Sequence, residues 1–463
     1  GGGGAGVSNG RLARAVSPGG ELGVVWGTAL DAIAARRLQL GDPDGEMRRA
    51  LSHFPWPEVA RRVLERYFIP GGKAPGDSFK TTALASVGMA PSTVELIIVA
   101  NFAEVFLAKE GHDGLVGINY LEKIQLPTFP SLIGAMLAGV DCVLMGAGIP
   151  MAIPGALDGL SSWQPVECKL HVEDNPDGHE FTYRFDPAQY LPGEHPPLSR
   201  PRFFAVVSSH VVAITLARKA SGTVDGFVVE NHTAGGHNAP PRRKSDPGAD
   251  DSSPFGEKDI PNIEKVKELG KPFWLAGGFA SPAKLKEALE LGAAGIQVGT
   301  VFAYCEESGV TPEIKREVLN RCRDGTLCVS TDFQASPTGY PFKLISMEGE
   351  ITTLDRSEGR KRVCDLGFLR QPYANGDSKV GYRCPGEPEE HYVKKGGRLE
   401  DTVGKQCLCN GLLATIGLGQ ERAEGAEPPI ITAGEDFSAV AELMRTSDEN
   451  YRARDVIDYL RDE

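Results

Sequence analysis

The sequence predicts an α/β fold: a (β/α)8 TIM barrel with a helical insertion near the N-terminus and a C-terminal extension. Three observations predict it. From residue 95 to 305, short apolar or β-branched runs alternate with helix-patterned stretches, an order that implies parallel strands joined by crossover helices. The runs are apolar throughout, as strands covered on both faces are. Four of them end in glycine, at MGAG (145–148), TAGGH (233–237), AGGFAS (276–281) and VGT (298–300). Loops at the C-terminal ends of parallel strands are where such folds carry function.

GLVGINYLEK (114–123) reads as a strand entering a loop, FPSLIGAMLAG (129–139) as a helix and VDCVLMGAG (140–148) as a strand. FFAVVSS (203–209) and DGFVVE (225–230) read as strands on either side of a helix, VVAITLARKASG (211–222). IPNIEKVKELG (260–270) is a helix opened by Pro261 and closed by Gly270. FWLAGG (273–278) is a strand, SPAKLKEALELG (281–292) a helix with Ser281 as N-cap and Pro282 first, and AGIQVGT (294–300) a further strand. Residues 28–94 are mostly helical and are expected to pack outside the barrel, while 155–202 reads as a loop insertion. PPRRKSDPGADDSSPFGEKD (240–259) has the composition of a lid or a disordered flap. Residues 1–345 thus form the barrel domain and 346–463 a Cys-containing extension.

The net charge of −13, with no long Lys/Arg run, argues against nucleic acid or an anionic membrane as partner. VELIIVANFAEVFLA is the most apolar segment, but Glu95, Asn101 and Glu104 interrupt it, so no membrane span is expected. Nine cysteines in 463 residues are no disulfide scaffold, and no secretory signal is seen; a reducing, cytoplasmic setting is expected. Cys364, Cys384, Cys407 and Cys409 lie in the extension without the spacing of a zinc knuckle, so no metal ligands are assigned. KQCLCNGLLATIGLGQ (405–420) has an apolar core suited to covering one end of the barrel or a partner in a homodimer.

ENHTAGGHNAPP (230–241) carries the most chemistry. An apolar strand delivers Glu230, Gly235 and Gly236 allow a turn, and His237 follows at the barrel mouth. A neutral imidazole there can abstract a proton near pH 7. Glu230 is placed to accept a hydrogen bond from a ligand or to pair with a cation, and His232 to line the pocket or face solvent. AGGFAS and VGTVFA stand on consecutive strands where barrels bind phosphate through backbone N–H groups, with Ser281 or Thr300 adding a hydroxyl.

GFVVENHTAGGHNAPP, PFWLAGGFASPAKLKEALELGAAGIQVGTVFAYCEESG and GVDCVLMGAGIP together resemble the nitronate monooxygenase family, once called 2-nitropropane dioxygenases. AGVSNGRLARAVSPGGELGVV and SPTGYPFK (336–343) extend the resemblance over residues 4 to 345. The resemblance implies a barrel that binds FMN and oxidises alkyl nitronates or nitroalkanes with O₂ through a flavin semiquinone. A close branch reduces enoyl or quinone substrates with NAD(P)H, and a flavin-binding subunit of a biosynthetic complex is a further alternative. By motif, Gly277, Gly278, Gly299 and Thr300 would hold the FMN phosphate, with Gly235 and Gly236 near the ribityl-phosphate side. Asn119 would meet the flavin ring and Ala5 and Gly6 line it, while Ala276, Gln297 and Glu230 complete the cofactor site. His210 falls where many members carry a lysine near the flavin, and His237 matches the histidine that deprotonates a nitroalkane. The strand that should precede AGVSN is almost absent, and the chain begins with Gly1 rather than Met. A missing native N-terminus or an unusually closed barrel is therefore expected.

Overall fold

In a computed structural model, residues 4–176, 178–242, 255–346, 361–376, 379–423, 425–446 and 450–462 are described. The expected flap at 240–259 falls largely outside them, because 243–254 are not described.

Seven strands form one parallel sheet: Gly23–Trp26, Val116–Leu121, Cys142–Gly146, Arg202–Val207, Gly226–Glu230, Phe273–Ala276 and Gly295–Gln297, adjacent in that order. This is the parallel strand order of the expected barrel; seven of its eight strands are seen among the described residues, with the first and seventh at the sheet's edges. The AGVSN stretch supplies no strand. It turns at once, with the Val7 N–H donating to the Gly4 carbonyl at 3.2 Å, and enters the helix Gly10–Val16 capped by Asn9. The sequence reading passed over Gly23–Trp26, whose four residues are too short to show an apolar period. Inside the sheet, Val24, Leu144, Phe204, Val228 and Trp274 border an apolar cavity of about 350 Å³ that Ile457 helps to close.

Between the first two strands lie the helices Leu30–Gln39, Glu46–Ser52, Pro57–Tyr67 and Pro91–Lys109. The last is long and apolar enough to cross a membrane by length and composition, yet most of it is buried against the Thr128–Leu137 and Leu30–Gln39 helices. Its polar interruptions are each satisfied inside the protein. Glu104 accepts from the Gly10 N–H at 2.6 Å and pairs with Arg37 at 2.9 Å, Glu95 pairs with Arg62 at 2.6 Å, and Asn101 accepts from the Tyr120 hydroxyl at 2.9 Å. A buried carboxylate persists only with such partners.

Two further expectations change. The helix at 260–270 shrinks to Ile263–Lys267 and is opened by Asn262, whose side chain accepts from the Lys265 N–H at 3.1 Å, rather than by Pro261. The 155–202 insertion begins late, since Ile153–Ser161 is a helix; beyond it Val166–Lys169 and Thr182–Phe185 form an antiparallel hairpin.

The extension does not stand apart from the barrel. The helix Ala453–Arg461 packs on Gly10–Val16, burying Val456, Ile457 and Leu460 with Leu12 and Val16. Cys328–Asp332 pairs antiparallel with Phe342–Ser346, and the Ile345 N–H donates to the Ile431 carbonyl at 3.0 Å. Lys343 is fully buried and pairs with Glu435.

Candidate functional site

Two cavities meet at the C-terminal ends of the strands. The larger, about 120 Å³, is lined by Ala5, Asn119, Glu230, Gly235, Gly236, His237 and Gln297, with Trp26, Phe342 and Leu412 among its apolar walls. The smaller, about 70 Å³, is lined by Ala276, Gly277, Gly278, Gly299 and Thr300 together with Thr233 and Gly434. Glu230, Gly235, Gln297 and Thr432 border both, so the two form one bent site.

The glycines are there for space and for backbone conformation. Gly277 and Gly278 have φ of 84° and 74°, the left-handed region that side chains disfavour. A Cβ on Gly277 would also lie 3.0 Å from the Asn231 carbonyl oxygen and 3.1 Å from the Thr233 hydroxyl. The Thr300 hydroxyl accepts from the Gly434 N–H at 2.9 Å, which ties the extension to this loop. Among the described residues, no Lys or Arg lines the smaller cavity. An anion there would be held by backbone N–H groups and hydroxyls.

His237 sits on the wall of the larger cavity. Its Nε2 lies 2.7 Å from the Ser336 hydroxyl, and its ring meets Phe342 edge-on at 4.8 Å. Among the described residues Nδ1 has no protein hydrogen bond, leaving that nitrogen for a ligand. Burial, and then the nearby Lys123 ammonium, hold the imidazole well below the usual histidine range. Glu230 has no ion-pair partner among the described residues, and burial pushes its carboxyl up to about 7. Burial likewise raises Glu122 to about 7 and lowers Lys123 to about 7. Two polar atoms at the cavities, Asn119 Oδ1 and Thr233 Oγ1, are buried without a partner among the described residues. Such orphans are costly unless a ligand or water satisfies them.

Two expected cofactor residues do not line either cavity. Gly6 lies behind Ala5, where a Cβ would run into Ile416 and Ile33. His210 is the first residue of the helix His210–Lys219, and its Nδ1 accepts from the Asn262 N–H at 3.5 Å. The Ser209 side chain caps that helix, so His210 stands in its first turn, turned to Asn262 rather than to either cavity. His232 stacks on Phe255 at 4.6 Å. What the sequence missed comes mainly from the extension: Phe368, Cys409, Leu412 and Leu413 wall the larger cavity, and Thr432 stands where both meet. The apolar NGLLATIGLG run was the one available signal.

The four cysteines of the extension converge although their spacing does not announce it. Cys364 and Cys384 share a side-chain hydrogen bond that favours the Cys364 thiolate, and Cys407 and Cys409 are near enough to raise Cys384 further. The nine cysteines form no disulfide, and among the described residues no three His, Cys, Asp or Glu side chains make a metal-ligand group.

The second half of the barrel decides the comparison with known proteins. Residues 198–347 match the nitronate monooxygenase family. The nitronate monooxygenase match spans the last four strands, His237, both glycine loops of the smaller cavity and Ser336, but not Asn119 or the extension. It supports an oxidoreductase domain with a flavin site. A Mycobacterium tuberculosis 5-hydroxy-7a-methyl-1-oxo-octahydro-1H-indene-4-carboxyl-CoA dehydrogenase is 32% identical over 135 residues, 29% of this chain and 34% of that protein. The chain thus spans about a third of the curated relative it matches. Among solved structures, FabK from Thermotoga maritima overlaps 99% of this chain and 89% of its own at 16% identity and a TM-score of 0.47. A nitroalkane oxidase from Streptomyces ansochromogenes overlaps 99% of this chain and 92% of its own at 14% identity and a TM-score of 0.44.

Proposed function

We propose that this chain is an FMN-dependent oxidoreductase that deprotonates and oxidises small alkyl nitro compounds or their nitronates, with O₂ as electron acceptor. The observation that carries the reading is the joined pair of cavities, a glycine-walled anion cradle on one side and His237 with an open Nδ1 on the other.

The residues present fit FMN. Gly277, Gly278, Gly299 and Thr300 offer backbone N–H groups and a hydroxyl where a phosphate needs them, in a cradle that a Cβ on Gly277 would invade. The unpartnered Asn119 Oδ1 would suit a donor on the ring, and Gln297 and Glu230, which border both cavities, would also help to hold the cofactor. FMN held there would supply the redox chemistry, as acceptor of the substrate's electrons with O₂ as final oxidant.

The protein's own share is proton removal, orientation and exclusion of water. A C–H beside a nitro group is acidic enough for imidazole to remove its proton, and Nδ1 of a neutral His237 is available to do so. The walls from Trp26, Phe342, Phe368 and Leu412 exclude water from the resulting anion. Glu230, half-buried at the cavity wall and raised to about 7, can keep its proton and donate a hydrogen bond.

The test is an absorbance spectrum of the protein reconstituted with FMN, followed by anaerobic addition of a primary nitronate. Bleaching of the flavin band supports the reading. A flavin that ignores nitronate but is reduced by NADPH would make the chain an enoyl or quinone reductase. Failure to retain FMN would overturn both.

A further inference from the structure

From His237 a line of polar groups leads away from the cavity. His237 Nε2 is 2.7 Å from Ser336 Oγ, Ser336 Oγ is 2.8 Å from Thr338 Oγ1, and Thr338 Oγ1 is 3.4 Å from Lys123 Nζ. The three partners come from two separate loops, one following the strand Val116–Leu121 and one preceding the strand Phe342–Ser346. Lys123 is half-buried, and its ammonium group stands 3.9 Å from the centre of the Tyr340 ring. The titratable groups facing it are Glu122 on its own loop, Tyr340 and His237.

His237 alone has a difficulty as a base. Burial disfavours the imidazolium, and does so whether or not Lys123 is charged, so a proton taken from carbon and left on the ring would be held at high cost. The hydroxyl chain removes the difficulty. We infer that Lys123 is the proton acceptor for substrate deprotonation, reached from His237 through the Ser336 and Thr338 hydroxyls, so that His237 is neutral both before and after the step. This rests on the reading of His237 as the base given above.

The balance is complete. The substrate C–H bond breaks, its electron pair stays on carbon as the nitronate, and the proton goes to Nδ1. The Nε2 proton passes to Ser336 Oγ, the Ser336 proton to Thr338 Oγ1, and the Thr338 proton to the lone pair of Lys123 Nζ. Lys123 then carries the positive charge over the Tyr340 ring and beside Glu122, where cation–π attraction and the carboxylate stabilise it. Burial holds Lys123 near neutrality, so a large share of it is the free amine at pH 7 to 8 and able to accept. Lys123 acts through the two hydroxyls and is a positioning residue in this scheme.

The test compares a neutral nitroalkane, which must lose a proton, with its preformed nitronate, which need not. In Lys123→Met the ratio of nitroalkane to nitronate turnover falls about a hundredfold, in the range expected for loss of a proton-transfer partner. The acid limb near pH 7 in the nitroalkane kcat/KM profile also disappears. Thr338→Val gives the same loss of ratio, and Thr338→Ser restores it. Equal loss on both substrates, or no rescue by serine, would overturn the relay. Nitrogen NMR of the flavin-free protein gives a readout apart from activity. The relay requires the resting His237 proton on Nε2, and an imidazole that titrates at higher pH in Lys123→Met. A resting proton on Nδ1, or an unchanged titration, would overturn it. Should the wild type turn over neither compound, the proposed function fails and the NMR result alone judges the relay.

Discussion

A Cβ on Gly235 would lie 2.7 Å from the carbonyl carbon of Ala433. That approach joins a loop of the barrel to a segment almost two hundred residues later, and both belong to the wall between the two cavities. Gly235→Ala therefore forces the extension off the cradle. Overpacking of this kind costs about 1–3 kcal/mol, and FMN affinity should fall about tenfold or more. Fluorescence titration of the flavin-free variant with FMN checks it, and unchanged affinity would mean the extension has no hold on the cofactor loop.

His237→Ala should abolish turnover of a neutral nitroalkane while FMN stays bound, because the side chain walls the cavity opposite the glycine cradle. The depressed basicity of His237 keeps it neutral as pH falls from 7 toward 6. An acid limb near 7 in the wild-type profile then belongs to the neighbouring pair Lys123 and Glu122, both held near 7, and not to His237; its loss in Lys123→Met assigns it within the pair. Steady-state kinetics on nitroalkane and nitronate from pH 5.5 to 9 test both statements.

Glu230 gives a stability prediction with a definite sign. Its carboxyl is raised to about 7 in the fold from an unperturbed 4.5. The folded state therefore holds a proton that the unfolded state has released. The associated stability is fully present below about 4.5 and is lost as pH rises through about 7. Thermal melts of the flavin-free protein should show Tm falling between pH 5 and 8. Glu230→Gln should flatten this fall and gain about 1–2 kcal/mol at pH 8, a figure reduced for the water that reaches a half-buried carboxyl. A variant whose melts track the wild type at every pH would place the carboxyl in a wetter setting.

Lys343 is fully buried and pairs with Glu435 and Thr331, behind the loop that carries Thr233. Glu435→Ala leaves the ammonium without its counter-charge. Glu435 is itself 43% exposed, so the loss should be about 2 kcal/mol, below the ~3–5 kcal/mol of a fully buried pair. Urea denaturation measures it, and a change within 0.5 kcal/mol, the usual spread of surface substitutions, would contradict it.

Where one run of sequence makes one element, the sequence was enough. FVVE and FFAVV are apolar across both faces and became buried parallel strands, and SPAKLKEALELG carries its own N-cap and became a helix. The glycine loops were legible for the same reason. A turn at a strand end needs left-handed backbone, and glycine supplies it at Gly236, Gly277 and Gly278. The match to the nitronate monooxygenase family, over residues 198–347, covers these locally encoded elements.

Other features depend on which distant segments share a space, and no local pattern encodes that. Gly6 and His210 were expected at the cofactor from their motifs, but Gly6 backs onto Ile416 and His210 opens a helix capped by Ser209, and neither lines a cavity. Thr432, Cys409 and Leu412 reach the site from residues that read as an appendage. Lys123, Thr338 and Ser336 line up with His237 only because loops more than two hundred residues apart in sequence close over one another. Strands and turns follow from the local backbone and hydrophobic period. The proton path and the closed wall of the site are long-range contacts, and the folded chain alone decides them.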